Sequence, residues 1–119
     1  MTGDTVRYAL FAEVFAALAH PKRLEIIRLL ASGEDTAGGL ADKTGLSKAN
    51  LSQHVHILKA RGLVHCEKRG AFCHYRLTSP KVLETCELVR QLILDQMDLT
   101  TQYRRQLASV APLRKKGAS

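Results

Sequence analysis

The chain has 119 residues, 45% of them hydrophobic and none of them Trp, with 18 Lys and Arg against 11 Asp and Glu and a formal net charge of +7. That length supports one aliphatic core and not two. No apolar run approaches the roughly 18 residues of a membrane span, the start lacks the pattern of a secretory leader, and three irregularly spaced cysteines do not make a secreted disulfide framework, so a cytoplasmic protein with a polyanionic partner is expected.

In chain order, Asp4 can cap a first helix over residues 5–19. Its apolar residues, among them Val6, Leu10, Phe11, Val14, Phe15 and Leu18, cover more than one face. A helix apolar on two sides needs two partners, so one side is expected to meet another subunit. Pro21 suits the first position of a second helix over residues 21–31, with Leu24, Ile27, Leu29 and Leu30 as its inner face and Gly33 as its stop. Thr36 caps a short third helix over 37–44, closed by Gly45 in the left-handed region. Gly38 and Gly39 weaken this helix on propensity, so packing must hold it.

Ser47 caps a fourth helix that ends at Gly62. A short helix, a tight turn and a capped second helix form a helix-turn-helix. Residues 63–67 and 72–77 read as a β-hairpin turning at Arg69-Gly70. A last helix starts at Ser79-Pro80 and runs past Tyr103. Its broad apolar stripe, including Val82, Leu83, Cys86, Val89, Leu92, Ile93 and Met97, exceeds the needs of one small body, so part of it is expected to pack on a second chain. Residues 1–107 then form a single domain, mainly α with a small β-hairpin, and residues 108–119 a basic, flexible tail.

Between Leu46 and Arg76 stand six Lys or Arg and one acid, Glu67. On the fourth helix Leu51, Val55 and Leu58 recur at i, i+4 and i+7 and fix the inner side. Lys48, Ala49, Asn50, Ser52, Gln53 and His56 then lie outward or at the flanks. Asn and Gln can bond an adenine edge twice, Lys can reach guanine, and Ala can meet a thymine methyl. Ser47 can cap the helix and touch phosphate. Lys68 and Arg69, at the hairpin tip, suit phosphate or the minor groove better than base reading. His54 beside Val55 either packs under the helix or donates to a phosphate. An ordinary solvated face is the plainer alternative for the whole set. The rivals from other classes are a protein-interaction module meeting an acidic partner and a basic membrane-surface protein, the latter disfavoured because the apolar stripes are those of a packed core.

Three blocks resemble the ArsR-type winged-helix repressors: Phe15 through His20-Pro21-Lys22-Arg23-Leu24 to Leu30, Gly45-Leu46-Ser47 through Ser52-Gln53-His54-Val55 to Gly62-Leu63-Val64, and Gly70 to Tyr75-Arg76-Leu77. They stand in order and at the right spacing, covering roughly residues 8–95. The resemblance implies a winged helix-turn-helix, a homodimer held by the first and last helices, and a double-stranded DNA operator as partner. Members that sense metal through the third helix carry Cys-x-Cys near its start, where this chain has Glu34-Asp35-Thr36-Ala37-Gly38-Gly39. Zinc-type members carry histidines on the last helix, where this chain has Asp95 and Asp98 and no histidine. The resemblance therefore leaves the inducer open.

A turn centred on Arg69-Gly70 sets Cys66 opposite Cys73 and His65 opposite His74, on opposite sheet faces. Val64, Ala71, Tyr75 and Leu77 share the cysteine side, making it the inner one. Paired thiols can bind a soft ion such as arsenite, with Cys86 as a possible third ligand, or oxidise together. Equally, cysteine can simply fill small core positions. The two histidines are a zinc half-site or added charge near DNA. No Gly-rich phosphate loop, His-Glu-x-x-His or Gly-x-Ser-x-Gly run is present, so no enzyme is expected. The expected function is a dimeric operator-binding repressor released by a thiol-directed effector, or else one that is constitutive or answers a small molecule.

Overall fold

The computed structural model describes residues 2–110, which fold as eight elements. These are α1 (Gly3–Leu18), α2 (Pro21–Ala31), β1 (Asp35–Thr36), α3 (Ala37–Thr44), α4 (Lys48–Ala60), β2 (Val64–Arg69), β3 (Phe72–Leu77) and α5 (Lys81–Val110). The described residues divide into two compact units, with the boundary inside α5 between Glu84 and Thr85. Of the expected tail, residues 108–110 are helical and 111–119 lie outside the described residues.

Helix starts follow side-chain chemistry. Thr2, not Asp4, accepts from Thr5 N to cap α1, and Asp4 falls in the first turn, where a carboxylate favours the helix dipole. His20 caps α2 by taking the Lys22 N–H on Nδ1 at 3.0 Å, ahead of Pro21. On α2 the buried residues are Ile26, Ile27 and Leu30, while Leu24 is 43% exposed. The expected face was therefore rotated, because Leu24 and Ile26 cannot share one side of a helix and Ile26 is the one enclosed.

The core of the first unit is aliphatic: Ile26, Ile27, Leu40, Leu51, Val55, Leu58 and Val64 are fully enclosed. Thr44 is its buried polar residue, and its hydroxyl is satisfied by donating to the Leu40 carbonyl at 2.7 Å.

β1, β3 and β2 form one antiparallel sheet in that order, with Asp35 opposite Tyr75 and Thr36 opposite His74. The hairpin register differs from the expected one. Arg69 faces Phe72 across a two-residue turn of Gly70 and Ala71, so Cys66 faces Tyr75, Cys73 faces Lys68, His65 faces Arg76 and His74 faces Glu67. Gly70 has φ +63°, and among the described residues no residue other than glycine has a positive φ. A turn with glycine at the first of two central positions is the one that matches strand twist, which moves the centre past Arg69. Each partner shifts by two residues, so faces are conserved. Val64 is buried and Cys66, Cys73, Tyr75 and Leu77 are half-buried on the inner side, whereas Ala71 leaves that face for the turn and is exposed. Cys66 and Cys73 are diagonal neighbours, 5.8 Å apart at Cα and joined as a disulfide.

The two glycines of α3 have different reasons. A Cβ on Gly39 would collide with the Asp35 carboxylate, which is fixed by the Thr36 N–H and Lys43 Nζ, each at 2.7 Å. A Cβ on Gly38 would meet nothing. Gly39→Ala should therefore lower unfolding free energy by about 1–2 kcal/mol through displacement of the Asp35 carboxylate, whereas Gly38→Ala should raise it by roughly 0.5–1 kcal/mol. Urea midpoints of the two variants measure the contrast.

Candidate nucleic-acid interface

The site is built around the turn from α3 to α4. Thr36 Oγ1 accepts from Gly39 N to start α3, and Gly45, at φ +76°, returns its N–H to Ala41 O to end it. Lys22 Nζ donates to the Thr44 carbonyl at 2.7 Å, so a side chain from α2 caps the end of α3. Ser47 Oγ accepts from Asn50 N at 3.1 Å and opens α4 two residues after the turn. Each bond satisfies a helix-end group that would otherwise be left over.

The rotation of α4 follows from Leu51, Val55 and Leu58, all buried. Ser47, Lys48, Ala49, Asn50, Ser52 and Gln53 are consequently all exposed. These six sequence-predicted residues form one continuous polar surface at the N-terminal half of the helix. The hairpin is tied to the other end: Leu63 N donates to Leu58 O at 3.0 Å and Thr78 Oγ1 to Gly62 O at 2.7 Å. Lys68 and Arg69 lie exposed at the end of β2.

Arg69 and Arg23 behave in ways the sequence did not reveal, while His54 takes the first of the two places read for it. Arg69 is held by both carboxylates near it, with Nη1 and Nη2 on Glu34 at 2.5 and 3.0 Å and Nη2 on Glu67 at 3.4 Å. The Arg69 hydrogen bond holds the Glu34 carboxyl below its ordinary value, and the two acids raise the guanidinium in turn. Glu34 reaches the hairpin because β1 pairs with β3, and a two-residue strand leaves no alternation to read in sequence. His54 packs under the helix, its ring 4.4 Å from that of His20 and its Nδ1 3.5 Å from Arg23 Nη1. A guanidinium only donates, so Nδ1 accepts and the ring is neutral. Arg23 Nε is buried without a partner.

The cysteines divide. Cys66 and Cys73 form the cross-strand pair on the hairpin, while Cys86 is a free, half-buried thiol on α5 in the second unit, pushed up by burial and by Glu87. Among the described residues no three His, Cys, Asp or Glu side chains gather to hold one metal ion. Among the described residues no helix is long and apolar enough to cross a membrane.

A helix-turn-helix with a following two-stranded wing on an aliphatic core defines a winged-helix transcriptional regulator. The comparisons bear this out. Residues 18–67 match the helix-turn-helix domain family. An uncharacterized HTH-type transcriptional regulator of Mycobacterium tuberculosis, Rv0081, is 33% identical over 87 residues, covering 72% of this chain and 76% of that protein. Its crystal structure superposes with a TM-score of 0.73 at 30% identity, over 79% of this chain and 95% of that one. The Bacillus subtilis transcriptional repressor SdpR is 36% identical over 66 residues, 56% of this chain and 73% of that protein. The homodimeric winged helix-turn-helix DNA-binding domain Mb0332 of Mycobacterium bovis, a possible ArsR-family regulator, gives a TM-score of 0.73 at 29% identity, over 82% of this chain and 94% of its own. The chain belongs to the ArsR-type family of winged helix-turn-helix transcriptional regulators.

His54 generates a pH prediction. Burial, then His20 and Arg23, hold its imidazole below the ordinary 6.5. Below pH 6.5 the unfolded chain thus binds a proton that the folded one refuses, and stability falls as pH drops through that window. Above it the contribution is fully present. Urea midpoints taken between about pH 5 and pH 7.5 should rise with pH and then level, and His54→Gln should flatten the His54-dependent part of that slope.

Proposed function

We propose that this protein is a homodimeric, sequence-specific DNA-binding repressor released from its operator by a thiol-directed effector. The observation that carries the DNA reading is the exposed run Ser47, Lys48, Ala49, Asn50, Ser52 and Gln53 on a helix whose opposite stripe is wholly buried. Lys48, Asn50, Ser52 and Gln53 read base edges in the major groove. Ser47 and Lys68 hold phosphate, and His54 supports the helix from beneath. Arg69 joins the phosphate contacts once its two acids release it. The net charge of +7 favours the polyanion at long range.

The dimer is supported by apolar surface that one copy leaves open. Phe11 and Phe15 of α1 are 51% and 59% exposed, and Leu92, Met97 and Tyr103 of α5 are 57%, 59% and 61% exposed. Helices carrying such faces are expected to bury them against a second copy. Two recognition helices would then enter successive major grooves about 34 Å apart. The homodimeric M. bovis neighbour and the SdpR repressor support assembly and sign of regulation respectively. For the effector, the sulfurs on the wing are those of Cys66 and Cys73, joined in this structure and open to attack once reduced, and Cys86 is a free thiol on α5.

The test is a duplex selected from a random pool by the reduced protein. Asn50→Ala should cost about 1–3 kcal/mol at particular base positions and leave scrambled duplex unaffected. Lys68→Ala should weaken all duplexes alike and lower the slope of log affinity against log salt by about 1 for each phosphate no longer neutralised. Failure of the reduced protein to select any duplex, with capture of an acidic protein instead, would reject the DNA reading. Light scattering should give twice the chain mass at micromolar concentration.

A further inference from the structure

The wing carries a modification site. We infer that Cys66 and Cys73 are the oxidisable pair through which a hydroperoxide lowers operator affinity, by closing a covalent loop around the DNA-contacting tip. This rests on the reading of the hairpin as a DNA contact and narrows its effector to one chemistry.

Geometry selects the pair. The two residues sit on adjacent strands, on one face, 5.8 Å apart at Cα, within the span of a disulfide. Both are half-buried, so a small peroxide can reach them. Lys68 faces Cys73 directly across the ladder, so a cationic residue holds the register position opposite that cysteine. Cys86 has the opposite setting, since burial and Glu87 both raise its thiol. A trivalent metalloid or soft cation would draw on a third ligand, and among the described residues no such trio gathers.

The chemistry balances without a further co-reactant. The Cys73 thiolate attacks one peroxide oxygen, the O–O bond breaks, and the alcohol (water, for hydrogen peroxide) leaves with a proton. The product is a sulfenic acid at Cys73. The Cys66 sulfur then attacks that sulfur, the S–S bond forms, and the hydroxyl departs with the Cys66 proton as water. Two thiols have lost two hydrogens, and the peroxide has been reduced.

The consequence follows from what the loop encloses. Residues 66–73 contain Lys68, Arg69 and the Gly70–Ala71 turn. In the disulfide-joined structure Arg69 is engaged by Glu34 and Glu67 and so is withheld from phosphate. Cross-linking the strands fixes the tip in that arrangement. The reduced tip can swing Arg69 outward, and DNA selects that state.

The experiment uses the full chain and the duplex selected by its reduced form. Hydrogen peroxide, removed before the titration, should lower the chain mass by two hydrogens. It should also link two tryptic peptides, because trypsin cuts after Lys68 and Arg69, between the cysteines. Affinity at about 0.15 M salt should fall roughly ten- to thirtyfold, as expected if each wing of a dimer releases one phosphate, with a shallower salt slope. Dithiothreitol should restore both. Cys66→Ser and Cys73→Ser, whatever their starting affinity, should no longer respond, whereas Cys86→Ser should respond like wild type. Glu34→Gln should shrink the oxidative loss, since one of the two acids holding Arg69 is gone. No link between the cysteines, a link that leaves affinity unchanged, an equal response in the Cys66→Ser/Cys73→Ser protein, or release by a trivalent arsenical alone would each overturn the inference. Failure of the DNA reading shows separately, because it appears already in the reduced protein.

Discussion

The burial of Leu51, Val55 and Leu58 is the constraint on which everything else depends. Three aliphatic side chains on one stripe of α4 are enclosed among α2, α3 and the start of the hairpin. Burying each contributes about 1.5–3 kcal/mol against leaving it in water, so together they fix the rotation of the helix about its own axis. Rotation is what decides which residues meet a groove. A turn of one residue, about 100°, would bury Ser52 and expose Leu51, and the site would vanish. The polar surface is thus a by-product of the core, and apart from Ser47, which caps the helix, its residues are free to specify a ligand.

Around that stripe the chain uses borrowed caps. The end of α3 is closed by Lys22 from α2, the sheet is begun by Asp35 just before α3, and the hairpin base is stitched to α4 through Leu63 and Thr78. Gly39 allows Asp35 to lie against the first turn of α3. Helix-turn-helix and wing are therefore joined by hydrogen bonds after α4, at Leu63 and Thr78, and before α3, through the β1–β3 pairing, a more exact placement than loop connections alone provide.

Much of this was legible in residues alone. The bounds of α2, α3 and β3, the capping by Thr36 and Ser47, and the left-handed Gly45 all rest on local rules, and the structure has them as read. So does the outward set on α4, because a period of three and four residues is a strong signal. What escaped depends on pairing at a distance. β1 is two residues long, the Glu34–Arg69 pair spans 35 positions, and Ile26 outranked Leu24 for reasons of tertiary fit. The register was missed by one turn position, because Arg69-Gly70 and Gly70-Ala71 are both plausible centres and only backbone twist separates them. The face assignment survived, since strand alternation is unaffected by a shift of two.

The contrast between the base and the tip of the hairpin carries a further consequence. Its base is pinned at Leu63 and Thr78, while its far end is tethered by Arg69 to carboxylates at the surface. Arm length is therefore an adjustable trait. Adding one residue to each strand beside Gly70–Ala71 would extend its reach by about 3.4 Å and disturb neither the anchoring nor the recognition helix. Lineages could thus tune the footprint on the duplex separately from the bases that are read.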